Sequence, residues 1–274
     1  MIELEDNFGD VIGKAQRGLG ISDSELAKKS GTSADAIRKV RDGQFEEKTL
    51  RAIAPVLDLE PNALVDLAQG KWKPEAVENS HGLAQFTTSY SGMLVNAYVV
   101  WDLGSKHAAA FDTGADCNGM LKLAAKENLS IKMILLTHAH PDHVADLPRL
   151  REETGAQVFA PSREPVPGAE RIEEGKHFSI GKIDIEARST WGHSPGGITF
   201  VCTALARPIA IVGDSMFAGS MGGGSVSYKD AVQNNLEKIL TLPDETIICP
   251  GHGPMTSVGE EKKHNPFFAA KFRK

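Results

Sequence analysis

His138-Ala139-His140-Pro141-Asp142-His143 places three imidazoles and a carboxylate within six residues. Groups of this kind repel one another and resist desolvation unless a cation offsets them. The segment therefore predicts a metal centre. One loop cannot complete two coordination spheres, and further candidates lie downstream. They are His193 in Trp191-Gly192-His193-Ser194-Pro195-Gly196-Gly197, Asp214 in Gly213-Asp214, and His252 in Pro250-Gly251-His252-Gly253-Pro254. Flanking glycines let the chain turn sharply and approach an ion closely. Nitrogen and oxygen donors suit divalent cations, zinc by default, with iron or manganese accepting the same set. Two such ions sharing a water bring its pKa toward neutrality and so supply a nucleophile. The stretch around Ser220 is not a Gly-x-Ser-x-Gly motif, because Ala218 occupies the first glycine position before that serine.

Each candidate follows an apolar stretch. Ile131 to Leu136 is short and partly β-branched and precedes His138, so it reads as a buried strand. Ile183-Asp184-Ile185-Glu186-Ala187 alternates before His193; Ile209 to Val212 leads into Asp214; Ile247 to Cys249 leads into His252. Leu94 to Trp101, Ala108 to Phe111 and Ile198 to Cys202 also read as strands, with helices over Asn118 to Glu127 and Lys229 to Leu240. Helices alternating with strands predict a layered α/β core.

From about residue 81 to 268 these motifs resemble the metallo-β-lactamase-fold hydrolases, and most closely their glyoxalase II-like branch. The run Gly213-Asp214-Ser215-Met216-Phe217-Ala218-Gly219-Ser220 and the tail Gly259 to Phe267 share in the likeness. The resemblance implies an αββα sandwich of two sheets between helices, and two divalent ions. It implies His138, His140 and His193 on the first ion, Asp142, His143 and His252 on the second, and Asp214 bridging. The implied activity is attack of a metal-bridging hydroxide on an ester or thioester carbonyl. Asp142 and Asp214 are then the catalytic acids, orienting the nucleophile and holding the ions. The sequence also resembles persulfide dioxygenases, which use one iron held by two histidines and a carboxylate, here His138, His193 and Asp214. Both ligand sets are present, so both readings stay open.

Close glyoxalase-like relatives often carry a Gly-Arg-Thr-Asp-type stretch where this chain has Met221-Gly222-Gly223-Gly224-Ser225. The chain also ends at Lys274, without the long helical extension that holds glutathione in fuller glyoxalase II enzymes. Both departures weigh against a glutathione thioester. Lys262 and Lys263 are candidates for gripping an anionic substrate tail, and Tyr228 for lining the cleft. His81, His107 and His177 have no ligand-like neighbours and read as surface or satisfied histidines.

The first seventy residues differ in character. Ser22-Asp23-Ser24-Glu25 fits a capping box before Leu26 and Ala27, Ser30-Gly31-Thr32 breaks that helix, and Thr32 to Asp35 opens another. Arg41-Asp42-Gly43 closes it, and Pro61 suits the first turn of a last helix that ends before Gly70. Ile21 to Gly43 resembles the Cro/C1 (XRE-type) helix-turn-helix, which implies DNA contacts from Lys28, Lys29, Ser33, Arg38, Lys39 and Arg41 and a homodimer reading paired half-sites. Pro55 departs from that pattern by interrupting the fourth helix. Residues 1–72 hold ten Lys and Arg against thirteen Asp and Glu, a poor start for phosphate neutralisation. Self-association or covering the cleft is the plainer use. A regulator whose hydrolase-like domain senses a metabolite or metal is a further alternative.

The division expected is therefore a small all-α helix-turn-helix domain over 1–70, a linker over 71–80, and the hydrolase domain over 81–274. Net charge of −6 argues against a general polyanion binder. The acidic start lacks a signal-peptide pattern, no apolar run approaches a membrane span, and three scattered cysteines suggest no disulfide framework. A cytoplasmic setting is expected.

Overall fold

Ile209 and Ile211 are buried in one apolar cluster, while Ala210 and Val212 between them are buried in another. A strand of this kind needs a packed layer on each face. Val201 separates from Phe200 and Cys202 in the same way. The computed structural model describes residues 2–77 and 82–273 and supplies both layers.

Five helices come first: α1 (Phe8–Leu19), α2 (Asp23–Ser30), α3 (Ala34–Arg41), α4 (Glu47–Ile53) and α5 (Pro61–Ala68). The first sheet and its helices follow as β1 (Leu83–Tyr90), β2 (Met93–Trp101), β3 (His107–Phe111), α6 (Asn118–Glu127), β4 (Ser130–Leu135), α7 (Pro141–Val144), α8 (Leu147–Thr154), β5 (Gln157–Pro161) and β6 (Glu170–Ile172). The second comprises β7 (His177–Ile180), β8 (Ile183–Ser189), β9 (Ile198–Thr203), β10 (Ile209–Gly213), α9 (Tyr228–Asn234), β11 (Ile247–Pro250), β12 (Thr256–Ser257) and α10 (Val258–His264). Sheet orders are β1-β2-β3-β4-β5-β6 and β12-β11-β10-β9-β8-β7. Strands β3 to β6 pair in parallel, as do β10 and β11; the other pairs are antiparallel.

Phe111 and Leu135 from one sheet meet Ile185, Phe200, Ile211 and Cys249 from the other, and the Phe111 and Phe200 rings lie 5.5 Å apart. Helices α6 and α8 cover the far face of the first sheet through Met120, Leu147 and Leu150. Ile239, Leu240, Val258 and Phe268 cover the far face of the second. The result is the expected αββα sandwich, with a helical region in front. Burying one such side chain stabilises by about 1.5–3 kcal/mol, so the sandwich can carry unfavourable polar crowding at its rim.

The helix signals in the sequence correspond to physical caps. Ser22 and Glu25 form a reciprocal capping box on α2, Gly31 ends it in the left-handed region, and the Ser33 hydroxyl caps α3. Pro55 lies in a 3-10 turn, Ala54–Leu57, that replaces the end of the fourth helix. The helix expected through Leu240 is α-helical only to Asn234 and continues as a π turn, Asn235–Ile239. Among the described residues no helix is long and apolar enough to cross a membrane.

Candidate metal centre

The chemistry-bearing residues gather because four strands end at the same rim. His138 follows β4, His193 follows β8, Asp214 follows β10 and His252 follows β11. Pro141 starts α7 directly behind His140, and that single turn carries Asp142 and His143. Two adjacent donor groups result: His138, His140, His193 and Asp214, and beside them Asp142, His143 and His252.

Hydrogen bonds on the far side of each ring fix the tautomers. The Nδ1–H of His143 donates to Asp112 Oδ2 at 2.8 Å, that of His193 to the Gly223 carbonyl at 3.0 Å, and that of His252 to the Leu94 carbonyl at 2.5 Å. The Thr137 hydroxyl donates to Asp112 at 2.7 Å and is left to accept from His138 Nδ1–H at 3.0 Å. In their neutral form these four rings would thereby present an unprotonated Nε2 inward, which is the form that binds a cation. His140 presents Nδ1 instead, 3.0 Å from His138 Nε2 and 3.2 Å from His193 Nε2.

Asp214 lies between the groups. Its Oδ2 is 3.4 Å from His193 Nε2 and 3.4 Å from His252 Nε2, and its Oδ1 is 3.3 Å from His143 Nε2. Asp142 Oδ2 lies 3.4 Å from His252 Nε2 and 3.6 Å from His143 Nε2. Donors bound tetrahedrally at about 2.0–2.1 Å stand roughly 3.3 Å apart, so these spacings fit shared ions. His143 Nε2 and Asp214 Oδ1 are buried without a hydrogen-bond partner. Such orphans are costly unless something not made of protein satisfies them. The residues therefore fit divalent cations. Gly251 keeps the space open: a Cβ there would collide with Asp214 Oδ1 and His143 Cε1.

Without a cation, three acids, Asp214, Asp112 and Asp142, take over the electrostatics. Burial works to raise the Asp214 pKa, yet His143, His252 and His138 hold the carboxyl well below its usual range. Burial also opposes charge on His143 and His252, but Asp214 and Asp112 lift His143 to about 10, and Asp142 and Asp214 lift His252 to about 11. Burial pushes His138 and His193 down. Ligation requires neutral rings, so loading with metal is coupled to proton release.

Two residues that the sequence reading passed over support this arrangement. Asp112 closes β3 and holds both His143 and the Thr137 hydroxyl. Glu164 accepts from the Ala139 N–H at 3.4 Å, the Ser194 hydroxyl at 2.7 Å and the Gly196 N–H at 2.8 Å, tying the first histidine loop to that of His193. Asp112 could have been noticed as an acid ending an apolar run; Glu164 stands in a polar loop with no such signal.

The remaining candidates lie elsewhere. Lys262 pairs with Asp244 at 2.6 Å and covers the Phe272 ring, Lys263 is exposed, and the Tyr228 ring fills the space where a Cβ on Gly18 would stand. On the helical region, Arg41 is held by Asp23 at 2.7 Å and Gln16 at 2.9 Å, Arg38 and Lys39 pair with Asp35, and Lys28, Lys29 and Ser33 are exposed. His107 is exposed, His177 pairs with Asp184 at 3.0 Å, and His81 and residues 78–80 of the expected linker lie outside the described residues.

The loop after Asp214 is pinned by Glu261, a fully buried acid on α10. It accepts from the Gly219 N–H at 3.0 Å, the Thr256 hydroxyl at 2.8 Å and the Asn265 amide at 2.7 Å. Burial outweighs these donors and pushes its pKa from 4.5 to about 8. The folded state then binds this proton more tightly than the unfolded chain does. The contribution of Glu261 to stability is fully present below the ordinary carboxylate pKa and is lost as pH rises from about 5 to 8, by up to about 1.4 kcal/mol per pH unit. We expect Glu261→Gln to flatten this part of a denaturant-melt pH profile. Equal slopes in the two proteins would show the carboxyl to be ionised throughout.

The family described as the metallo-beta-lactamase superfamily matches residues 90–252, a span that holds every donor and begins beyond the five helices. The chain is 28% identical over 201 residues to hydroxyacylglutathione hydrolase GloC of Haemophilus influenzae, covering 64% of this chain and 93% of that protein. Among solved structures, the B3 metallo-beta-lactamase BLEG-1 aligns at TM-score 0.60 and 29% identity, covering 68% of this chain and 98% of that one. TTHA1623 in a di-iron-bound form aligns at 0.55 and 29%, covering 67% and 100%. With its donors grouped at the strand ends of an αββα sandwich and a family match across 90–252, the chain belongs to the metallo-β-lactamase superfamily.

Proposed function

We propose that the protein is a binuclear metallohydrolase that cleaves an ester or thioester. The observation that carries this reading is the position of Asp214, one carboxylate facing both donor groups across 3.3–3.4 Å. His138, His140 and His193 would hold one ion, Asp142, His143 and His252 the other, and Asp214 would touch both. When bound, the ions supply an activated water and a Lewis acid for the carbonyl oxygen. The protein's own part is orientation. Thr137, Asp112, Gly223 and Leu94 hold the Nδ1 protons of the rings outward, and Asp142 keeps His252 directed inward. GloC, named as a hydroxyacylglutathione hydrolase, supports thioester chemistry, and the di-iron TTHA1623 supports a pair of ions, with zinc or manganese as alternatives.

The reading includes a helical domain over 1–70, a linker over 71–80, the hydrolase domain over 81–274, and a cytoplasmic setting. A mononuclear-iron dioxygenase would leave the Asp142, His143 and His252 set without a purpose, so hydrolysis is favoured. A DNA-reading role has less support, because Arg41, Arg38 and Lys39 are engaged by acids of their own region. The decisive measurement is metal content together with turnover across thioesters, lactones and β-lactams, with oxygen uptake followed on a glutathione persulfide. We expect two metal equivalents, thioester or lactone turnover, little β-lactam turnover and no oxygen uptake. Persulfide-dependent oxygen uptake with one iron and no hydrolysis would replace this reading with the oxidative one.

A further inference from the structure

The helical region does not hang from its linker. Val11, Ile12, Leu26, Ile37 and Leu64 share one apolar cluster with Val212, Ile239, Ile248 and Phe268. The Glu60 N–H donates to the Pro266 carbonyl at 2.7 Å, Trp72 stacks on His264 at 5.0 Å, and Lys271 pairs with Asp58 at 3.0 Å. Helix α1 is thus fixed against the loop that runs from Asp214 to Gly224.

Into that loop α1 sends one partly buried cation. Lys14, 15% exposed, pairs with Asp6, 8% exposed. Its ammonium donates to the Met221 carbonyl at 2.9 Å and lies 4.9 Å over the Phe217 ring. The Ser220 hydroxyl donates to Asp6 Oδ2 at 2.5 Å, and Asn265 donates to the Ser220 carbonyl at 2.8 Å. Each contact is close to a metal-centre residue. Gly222, next to Met221, packs so tightly on Asp214 that a Cβ would overlap the Asp214 carbonyl. Gly223 accepts the Nδ1 proton of His193. Phe217 stands edge-on to His252 at 5.7 Å. Met221-Gly222-Gly223-Gly224 has no stiffness of its own, so an external anchor is what can hold those contacts in register.

We propose that Lys14, with Asp6, is a positioning residue of the metal centre. It would act from the helical region through the 217–223 loop on Asp214, His193 and His252. The inference rests on the metallohydrolase reading, and it makes the helical region part of the catalytic unit. A salt bridge that only joined the two regions would affect stability alone, whereas a positioning pair also sets metal affinity.

The test uses the full chain with Lys14→Met, Lys14→Arg, and the double variant Asp6→Asn with Lys14→Met, which leaves no unpaired buried charge. Lys271→Ala, which breaks the Lys271–Asp58 pair at the same interface, is the control. Zinc affinity is measured by chelator competition, alongside thermal unfolding and the kcat and KM of any ester or thioester turned over. Groups that orient metal ligands typically contribute about 10–100-fold in affinity, and that loss is expected for Lys14→Met and the double variant. Lys14→Arg should recover most of it, the loss of turnover should appear in kcat, and Lys271→Ala should bind zinc as the wild type does. Folded Lys14→Met or double variant with wild-type zinc affinity overturns the inference, however much either is destabilised. A wild-type protein that binds no zinc, iron or manganese overturns the metallohydrolase reading itself, which separates the two failures.

Discussion

Asp214→Ala is expected to lose both metal ions together, whereas His140→Ala loses one. The difference follows from geometry. His140 Nδ1 belongs to a single donor group, close to His138 and His193, while the two oxygens of Asp214 face His143 on one side and His193 and His252 on the other. Removing Asp214 also removes the charge that most strongly favours protonation of His143. His138, His140 and His193 are then left without the one carboxylate of their group, while Asp112 and Asp142 still face His143 and His252. Hydrolysis should fall by more than the roughly hundredfold that outer-sphere partners contribute, since in the proposed centre Asp214 would be a direct ligand to two ions. Metal analysis of the purified variants, with turnover on the best substrate of the panel, provides the check. Two ions retained in Asp214→Ala, or equal loss in both variants, would remove Asp214 from its bridging place.

The donors were legible in the sequence because a metal centre needs several rare residue types close together, and strand ends supply them at recognisable places. The six residues from His138 to His143 follow an apolar strand, and His193, Asp214 and His252 follow others. Layering was legible for a related reason: short, unbroken, β-branched apolar runs such as Ile209 to Val212 fit strands covered on both faces. Edge and polar structure was not legible. Strand β1 reads Leu-Ala-Gln-Phe-Thr-Thr-Ser-Tyr and is largely half-exposed along its second half, so its pairing with β2 produces little hydrophobic signal. The helix after Ser227 was expected to run evenly to Leu240, but tertiary demand alters it. Asn235 turns its amide to the Ser215 carbonyl at 2.7 Å, and the backbone widens into a π turn there. Substrate contacts were least legible. Lys262 was singled out for its charge, but its partner Asp244 is 18 residues away in sequence and becomes visible only in the fold.

Asp112 is where a residue outside both donor groups is expected to matter nearly as much as a ligand. It is 2% exposed and sits at φ 54°, a left-handed conformation that costs a non-glycine residue about 1–2 kcal/mol. Its carboxylate accepts three bonds: Thr137 N–H at 2.7 Å on Oδ1, and the Thr137 hydroxyl at 2.7 Å and His143 Nδ1–H at 2.8 Å on Oδ2. One acid therefore fixes His143 directly and His138 through Thr137. Asparagine has nearly the same shape but only one accepting oxygen. In Asp112→Asn, either the Thr137 N–H or the Oδ2 pair must face an amide NH2, so a buried donor loses its partner or His143 loses its tautomer lock. We expect the ion held by His143 to bind about 10–100-fold more weakly, the other ion to weaken less, and kcat to fall with the first. Thr137→Val separates the two arms, since it frees His138 while leaving the bond between Asp112 and His143 in place. Titration of the metal-free variants with zinc, resolved into two steps, measures each arm. Unchanged affinity at both steps in Asp112→Asn would mean that the rings are oriented by packing alone.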